Sequence, residues 1–285
     1  MKIARLNDRA ICLSAEGHFD IATSSSGRFP SDVDDLAQHW QELEAWLSDN
    51  NPNCTDTRGS NYFAKHLHEL QAPLLKPRQI FAVGLNYPAH TAEVASAAPS
   101  SPVIFTKFSS SIAGPGDSVT LPPGGGVDWE VELVAVVSKG GRNISKEAAL
   151  GAIGAYCVGQ DLSERYGQMS GPAPQFSLAK SYAGFTPLGP WLTSSTAIEN
   201  ICELNLATLI DEEQMQTGCV DQMLFDLPTL IVYLSSIVEL FPGDLIFTGT
   251  PDGVGMSRKP PRFLTAGETL HSSISQLGAL RNPLL

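Results

Sequence analysis

The alternation of hydrophobic and polar positions predicts a β-hairpin at the start of the chain. Apolar and polar residues alternate through residues 1–25 on either side of Asn7-Asp8, a common turn pair. Apolar residues then recur at helical spacing from Val33 to Leu47, and the turn-forming residues 50–52 end this pattern. We therefore expect a small N-terminal α+β domain over residues 1–75.

From residue 76 onward the pattern changes to short apolar runs separated by glycine and proline. The runs are IFAVGL, PVIFTKF, VELVAVV and DLIFTG. Such runs with glycine and proline between them are typical of strands in a β-rich domain. Two helices interrupt the strands, one near residues 145–153 and one between Asp226 and the Pro242-Gly243 pair. The sequence therefore predicts an α+β fold with its main domain over residues 76–285.

Composition and charge exclude several classes of partner. The chain has 30 acidic and 18 basic residues, a formal net charge of -12, which repels nucleic acid. Its longest apolar run is too short and too interrupted to span a membrane, and the N-terminus lacks a signal-peptide pattern. The five cysteines are scattered without a CxxC pair, as in a reducing compartment. We expect a cytoplasmic protein with no nucleic-acid or membrane partner.

Two carboxylates at the start of an apolar strand indicate a metal site. Glu130 and Glu132 are two residues apart, which places both side chains on one face of a strand. Burying both charges without compensation is costly. Asp161 follows another apolar run, over residues 152–158, and supplies a third oxygen ligand. An all-oxygen set suits Mg²⁺, Mn²⁺ or Ca²⁺ and disfavours zinc, whereas the alternative is a set of surface salt bridges at strand ends.

Four segments together resemble motifs of the fumarylacetoacetate hydrolase family, and they occur in the order found in that family. They are GLNYPAHTAE at 84–93, DLSERYGQ at 161–168, AKS at 179–181 and PGDLIFTGTP at 242–251. The resemblance implies a mixed β-sandwich roll. It also implies a Mg²⁺ or Mn²⁺ ion held by Glu130, Glu132 and Asp161, and a homodimer.

The resemblance also implies a reaction. Members of the family act on bonds next to a 2-oxo acid, so we expect a small anionic 2-oxo acid as the substrate. The favoured reaction is hydrolysis of a C–C bond in a 2,4-diketo acid, which yields pyruvate and a second acid. Decarboxylation of an oxaloacetate-type diacid, or isomerisation or hydration of a 2-hydroxydienoate, is the alternative.

Three residues are candidates for catalysis. His90 and Glu93 are three residues apart, so in a helical turn the carboxylate can orient the imidazole as a general base. Lys180 supplies positive charge near the ion, where negative charge develops on the substrate. The segment that contains His90 and Glu93, residues 88–101, is rich in alanine and serine, and we interpret it as a lid that closes over the substrate.

Four further residues are candidates for substrate binding. Arg165 and Gln168 belong to the segment that begins with Asp161, and Arg165 adds fixed positive charge. For Lys107 the alternatives are anion steering and a solvated charge at a strand end. Thr250 follows a strand in a glycine-rich turn, where it either binds a carboxylate or is an ordinary turn residue.

The glycines over residues 249–255 also raise the possibility of a dinucleotide-binding module. That fingerprint requires a helix to open immediately after the glycines. The segment that follows contains Pro260-Pro261, which disfavours a helix. A third possibility is a scaffold that keeps the metal but has lost turnover, and the presence of both His90 and Glu93 argues against it.

Overall fold

The computed structural model of the protein describes residues 1–93 and 97–285. It confirms the predicted α+β fold, in which a large mixed sheet and a smaller antiparallel sheet pack face to face as a sandwich. The strands, numbered along the chain, are β1 Lys2–Leu6, β2 Arg9–Leu13, β3 His18–Asp20, β4 Ile80–Gly84, β5 Val103–Thr106, β6 Ile112–Ala113, β7 Val127–Asp128, β8 Val131–Val137, β9 Ile153–Gln160, β10 Ser163–Glu164, β11 Thr186–Ser194, β12 Asn205–Ile210, β13 Glu213–Cys219, β14 Leu245–Phe247, β15 Thr269–Ile274 and β16 Gly278–Pro283.

Most helices are short and lie between the strands. They are α1 Ile21–Ser24, α2 Val33–Leu36, α3 Trp40–Asn50, α4 Ser60–Phe63, α5 Pro88–Glu93, α6 Lys146–Ala149, α7 Arg165–Gln168, α8 Phe176–Ala179 and α9 Leu227–Ile237. Single 3-10 turns lie at Ala37–His39, Leu67–Glu69, Ser109–Ser111, Leu150–Ala152, Ser195–Ala197, Ile201–Glu203, Val220–Gln222 and Gly255–Ser257.

The large sheet brings the strands that carry the predicted site side by side. Its strand order is β3-β2-β1-β11-β9-β8-β14-β4-β5, and β6 pairs with β11 outside this order. Strand β8 is antiparallel to both β9 and β14, whereas β14 and β4 are parallel. The start of β8 therefore lies beside the ends of β9, β14 and β4, and the segments that leave these ends can meet.

Alternation along β8 sends its side chains into two different cores. Val134 and Val136 pack in a core that includes α2 and α3. Leu133 and Ala135 face the second sheet, whose strand order is β13-β12-β15-β16. Glu132 has the parity of Val134, so its side chain lies on the face that carries the N-terminal helices.

The first 75 residues continue the large sheet. Strands β1 and β2 form the predicted hairpin, and Asn7 and Asp8 both have positive φ, as a two-residue turn of this kind requires. Strand β1 also pairs with β11, so the hairpin and β3 form one side of the sheet. The sheet and its core therefore cross the predicted boundary at residue 75, and the division into two domains remains a prediction.

The longest C-terminal helix ends earlier than the apolar pattern indicates. Helix α9 begins after its N-cap Asp226, as predicted, but its last residue is Ile237. The backbone becomes extended at Val238, and the N–H and C=O of Leu240 pair with those of Gly141. The apolar pattern continues past the helix because Leu240 is buried in a β-bridge and not in a further helical turn.

The described residues contain no helix suited to cross a membrane, and they include only part of the predicted lid. Within residues 1–93 and 97–285, none of the helices has the length and apolar character needed to cross a membrane. Of the predicted lid, residues 88–93 form α5. Residues 94–96 of that segment lie outside the described residues, so the lid remains a prediction.

Asp244 joins β4 to β14, and its removal should destabilise the fold. Its buried carboxylate accepts hydrogen bonds from the backbone N–H of Gln79 (3.0 Å), the side-chain amide of Gln79 (2.7 Å) and the N–H of Phe241 (2.8 Å). Asp244→Ala leaves these donors without their acceptor, so we expect the free energy of unfolding to fall by about 2–4 kcal/mol in urea titrations. Asp244→Asn keeps one acceptor oxygen and should lose less. A loss no larger than that of the exposed control Asp49→Ala would contradict this assignment.

Candidate metal centre and active site

Three carboxylates meet at the edge of the large sheet where β8 begins and β9 ends. Glu130 precedes β8, Glu132 lies within it, and Asp161 follows β9. One oxygen atom from each lies within 4.8 Å of the others, and all three residues are buried. Asp161 has the same parity along β9 as Cys157, whose side chain lies in the same core as Val134. Strand alternation therefore explains why the three side chains share one face.

Two lysines enclose Asp161. The ammonium group of Lys180 donates to Asp161 Oδ2 and to Glu130 Oε2, both at 2.7 Å. The ammonium group of Lys107 contacts the other carboxylate oxygen of Asp161 and donates to the carbonyls of Lys180 (2.5 Å) and Phe185 (3.1 Å). The Lys107 side chain has no exposed surface. Lys107 is therefore not a solvated strand-end charge, and it would influence a substrate only through Asp161.

Arg165 connects the carboxylates on the other side of the site. Its Nε donates to Asp128 Oδ1 (2.6 Å), one terminal nitrogen donates to Glu130 Oε1 (2.5 Å), and the other donates to Gln168 Oε1 (2.9 Å). The second oxygen of Asp128 accepts from the N–H of Met256 (2.8 Å). Asp128 is a site residue that the sequence reasoning missed. The signal was present, since Asp128 stands two residues before Glu130 in the same alternation.

The charges of the site do not balance. Four buried carboxylates, of Asp128, Glu130, Glu132 and Asp161, face three buried cations, of Lys107, Arg165 and Lys180, which leaves a surplus of one negative charge. The ion pairs found among the described residues reach every one of these carboxylates except that of Glu132. Glu132 accepts instead from the backbone N–H of Gly249 at 2.7 Å.

The imbalance shifts the acidity of the two glutamates in opposite directions. Burial, together with the neighbouring charges of Asp161 and Glu130, raises the pKa of Glu132 well above its usual range. Burial also opposes the charge of Glu130, but Lys180 and Arg165 outweigh it and hold the pKa of Glu130 below its usual range. Burial raises the pKa of Asp128 to about 6. Glu132 is therefore the ligand that most needs a further cation.

The turn after β14 positions the N–H that Glu132 uses. Gly249 has φ of 97°, a conformation that favours glycine, and a Cβ at this position would stand 2.7 Å from the Cβ of Asn86. Asn86 in turn donates to the carbonyl of Thr248 at 2.8 Å. The asparagine of the first motif and the glycine of the last therefore form one structural unit that supports Glu132.

His90 and Glu93 form the predicted contact on α5. Nδ1 of His90 lies 2.8 Å from Oε1 of Glu93. The other oxygen of Glu93 accepts from the N–H of Gly253 (3.0 Å) and the hydroxyl of Ser257 (2.7 Å). This arrangement fixes the ring and leaves Nε2 for a reacting group. Ser257 is a second residue missed from sequence, because it lies 164 positions from Glu93 and in no motif that points to it.

Thr250 lies at the site, but its hydroxyl is already engaged. The hydroxyl donates to the carbonyl of Val131 (2.9 Å) and accepts from the side-chain amide of Gln216 (2.8 Å). A substrate carboxylate could only accept from this hydroxyl, so such a contact requires the bond to the carbonyl of Val131 to break. Thr250 thus joins the turn after β14 to the start of β8, whichever of its two predicted roles holds.

A cavity of about 230 Å³ opens onto this cluster. Six of the predicted site residues line it, namely His90, Glu130, Arg165, Gln168, Lys180 and Thr250. The remaining four predicted residues do not line the cavity, but each contacts a residue that does. Glu93 contacts His90, Lys107 donates to the carbonyl of Lys180, and Asp161 and Glu132 adjoin Glu130. The structure therefore assembles all ten predicted site residues in one region.

The donor set fits a divalent cation of the magnesium class. Carboxylate oxygens are the ligands that Mg²⁺ and Mn²⁺ prefer, and three residues bring them within reach of one ion. Glu132 has a charge without an ion-pair partner among the described residues, which a cation would neutralise. Glu130 also borders the cavity, so substrate or water can complete the coordination.

The sequence of the chain is similar to those of known proteins over about three quarters of its length. Residues 79–285 match the family model described as fumarylacetoacetate (FAA) hydrolase C-terminal. The oxaloacetate tautomerase fahd2 of Xenopus laevis, a mitochondrial protein, is 40% identical over 217 residues, which cover 76% of this chain and 68% of that relative.

Solved structures extend the similarity to the whole chain. A structure from Mycobacterium smegmatis, provisionally described as an HpcE protein, is 44% identical with a TM-score of 0.93, and the match covers 100% of this chain and 99% of that one. A fumarylacetoacetate hydrolase from Exiguobacterium antarcticum is 30% identical with a TM-score of 0.83 and the same coverage. The N-terminal 75 residues therefore share the fold of these proteins as well.

Removing the charge of Glu132 should abolish the response to metal without harming the metal-free fold. Because its folded pKa is raised above the unfolded value, the ionised side chain destabilises the metal-free protein as pH rises above the ordinary carboxyl range. In EDTA at pH 8, Glu132→Gln should melt at or above the parent temperature, since the amide oxygen still accepts from Gly249. Added Mn²⁺ or Mg²⁺ should raise the Tm of the parent and of the exposed control Glu16→Gln, but not of Glu132→Gln. An equal rise in all three proteins would remove Glu132 from the ligand set.

Proposed function

Because the chain belongs to the fumarylacetoacetate hydrolase family, we propose that it is a metal-dependent enzyme that interconverts the keto and enol forms of a small 2-oxo acid. The observation that carries the proposal is a buried set of three carboxylates, one of which, Glu130, lines the same cavity as His90. The oxaloacetate tautomerase that is 40% identical over 217 residues supports this reaction type.

The charges of the site suit an anionic substrate once a divalent ion is present. The four carboxylates and three cations carry a surplus of one negative charge, and a divalent ion reverses it to one positive charge. In a buried site a surplus of this kind attracts an anion, because the local dielectric is low. A 2-oxo acid offers a carboxylate and an adjacent carbonyl, two oxygen ligands that would complete the coordination of the ion on the cavity side of Glu130.

The ion would be held by Glu130, Glu132 and Asp161, and Mg²⁺ or Mn²⁺ is the proposed occupant. When bound, such an ion polarises a carbonyl and stabilises negative charge on its oxygen. Lys180 adds a fixed positive charge at the same place, since its ammonium group lines the cavity and contacts two of the ligands. Arg165 adds a further fixed positive charge to the cavity lining, and it donates to Gln168, which also lines the cavity.

His90 is the residue that moves the proton. Glu93 fixes the ring through Nδ1, so Nε2 can accept the proton that leaves C3 of the keto form. The electron pair of that C–H bond forms the C2=C3 double bond, and the π pair of the C2 carbonyl moves to the 2-oxo oxygen, which takes a proton from solvent to give the enol. Lys180 stabilises the negative charge on that oxygen until it is protonated. In the reverse direction His90 returns the proton to C3. Burial raises the pKa of Glu93, but the hydrogen bonds from His90 and Ser257 outweigh it and hold that pKa below its usual range, so Glu93 is a carboxylate beside the ring.

Hydrolysis of an acylpyruvate is the second candidate, because the pair formed by His90 and Glu93, which we call the dyad, is also suited to activate water. His90 would then accept a proton from water as the water oxygen attacks the C4 carbonyl. The bond between C3 and C4 breaks, its electron pair forms the enolate of pyruvate, and the acyl group leaves as an acid. Both reactions pass through an enolate beside Lys180, and they differ in what His90 deprotonates.

One set of assays separates the candidate reactions. The purified protein, loaded with Mg²⁺ or Mn²⁺, is mixed with the enol form of oxaloacetate, and loss of its ultraviolet absorbance is followed. Tautomerisation changes the absorbance without releasing pyruvate, hydrolysis of acetylpyruvate releases pyruvate and acetate, and decarboxylation of oxaloacetate releases CO₂ and pyruvate. Acceleration of hydrolysis or decarboxylation without tautomerisation would replace the proposed reaction with the one observed. Acceleration of none of them over the metal ion alone, with oxaloacetate, acetylpyruvate or phenylpyruvate, would refute the proposal.

The homodimer and the cytoplasmic location remain proposals. The fold supports neither of them by itself, and the tautomerase relative from Xenopus laevis is a mitochondrial protein. Light scattering of the purified protein tests the first, and localisation in the source cell tests the second.

Replacement of His90 should separate chemistry from binding. In His90→Ala we expect kcat for the enol–keto conversion to fall by about 10²–10⁴-fold, the usual contribution of a positioned general base. Binding of Mn²⁺ and of oxalate should persist in calorimetry, since neither needs the imidazole. Ser257→Ala should show a smaller loss, because it releases one of the two donors to Glu93 and leaves the dyad itself intact. The exposed control His39→Ala should match the parent. An unchanged kcat in His90→Ala would place the base elsewhere.

A further inference from the structure

The cavity divides into a charged floor and an apolar wall. The charged floor consists of the polar and charged residues that line the cavity, namely His90, Glu130, Arg165, Gln168, Lys180 and Thr250. The rest of the lining that the structure describes is apolar, and its side chains are Val83, Leu85, Phe105, Met169, Phe176 and Met256. We call these six side chains the apolar wall.

Two aromatic rings form a preformed surface in the apolar wall. The rings of Phe105 and Phe176 meet edge to face with centroids 5.5 Å apart, a favourable arrangement for an aromatic pair. Gly84, at the end of β4, lies beneath both rings, and a Cβ there would be 3.7 Å from Phe176 and 3.8 Å from Phe105. The ammonium nitrogen of Lys180 is 5.1 Å from the Phe105 centroid. The aromatic surface therefore begins where the charged floor ends.

The two cationic side chains that line the cavity already form ion pairs with carboxylates of the metal centre. Lys180 contacts Glu130 and Asp161, and Arg165 contacts Asp128 and Glu130. Among the lining residues within 1–93 and 97–285, these two are the only lysine or arginine side chains. A second carboxylate at the far end of a substrate would face the apolar wall without a cation, and burying an unpaired charge there is unfavourable.

The charge of the metal centre leads to the same conclusion independently. With a divalent ion in place, the four carboxylates and three cations of the metal centre would have a surplus of one positive charge, which one carboxylate neutralises. A dianion would leave a negative surplus in a buried cavity. A substrate with one carboxylate and an apolar remainder matches both regions.

We propose that the preferred substrate is a 2-oxo acid with a single carboxylate and an apolar, aromatic group at its far end, and that Phe105, Phe176 and Met169 select this group. The inference rests on the proposed function for the position of the 2-oxo acid over the charged floor. It goes beyond that function in naming the far end of the substrate, where oxaloacetate has a second carboxylate.

Phenylpyruvate is the matched probe, since it enolises as oxaloacetate does but has a phenyl ring in place of the second carboxylate. With the Mn²⁺-loaded protein, kcat/KM for phenylpyruvate should exceed that for oxaloacetate by at least about tenfold, the scale on which an apolar pocket discriminates between substrates. Phenylglyoxylate supplies a separate binding readout, because it has no hydrogen on C3 and cannot enolise. It should bind by calorimetry in the parent protein.

Two substitutions test whether the apolar wall makes the selection. Phe176→Lys and Met169→Lys place a cation in the wall, so each should weaken phenylglyoxylate binding and raise kcat/KM for oxaloacetate. Met169 is 54% exposed at the cavity mouth, so its substitution leaves the core intact if Phe176→Lys folds poorly. Leu178→Lys, on the same helix as Phe176 but 72% exposed and outside the lining, is the matched control and should change neither value.

The outcomes separate this inference from the proposed function. Preference for oxaloacetate over phenylpyruvate in the parent, with no gain for oxaloacetate in either lysine variant, would overturn the inference and leave tautomerisation in place. Turnover of neither acid would overturn the proposed function, and the phenylglyoxylate titrations of the parent and Met169→Lys would still decide the selectivity of the wall. Preference for phenylpyruvate that both lysine variants reduce supports the inference.

Discussion

The structure of the site depends on the burial of like charges. Glu130, Glu132 and Asp161 are all buried and bring carboxylate oxygens within 4.8 Å of one another. Such a cluster is unfavourable unless cations and hydrogen-bond donors surround it. Lys107, Lys180 and other donors are arranged around it for this reason, and each of them comes from a different segment of the chain. Glu132 has no ion-pair partner among the described residues, and its pKa is raised well above its usual range. A metal ion would stabilise its ionised form.

The alternation of side chains along the strands of the large sheet brings the three carboxylates together. Residues at alternate positions of β8 and β9 face one core, and the same alternation places the metal ligands together at the sheet edge. Because β14 lies next to β8 and β4 lies parallel to β14 on its other side, the segments that follow β14 and β4 reach the same end of the sheet. The turn at Gly249 supplies the N–H for Glu132, and the helix after β4 carries His90. A rigid sheet therefore fixes the ligands, while connecting segments bring the residues that would act on a substrate.

Much of the site could be predicted from sequence because its signals are local. Spacing of two along a strand and of three along a helix identified Glu130 with Glu132 and His90 with Glu93, and the structure places each pair together. Contacts between distant segments could not be read in this way. The complete burial of Lys107 behind Asp161 depends on carbonyls more than 70 positions further along the chain.

The same limit applies to the fold. The apolar spacing after Asp226 fits a helix as far as Phe241, but a β-bridge to Gly141 ends the helix early. The pairing of β1 with β11, which carries the sheet across the predicted domain boundary, joins residues about 190 positions apart. Periodicity shows which residues are buried, and it is the long-range partner that decides the backbone conformation in which they are buried.

The division of the cavity also bears on how one site can serve several reactions. Tautomerisation, C–C hydrolysis and decarboxylation of 2-oxo acids all place negative charge on the 2-oxo oxygen, so the same charged floor would stabilise the intermediate of each. The floor therefore sets the type of intermediate and cannot by itself distinguish the reactions. What remains to distinguish them is the group that His90 meets and the far end of the substrate, and both are determined by connecting segments and by the apolar wall. Substitutions in the wall can then alter the preferred acid while the sheet that holds the carboxylates stays unchanged.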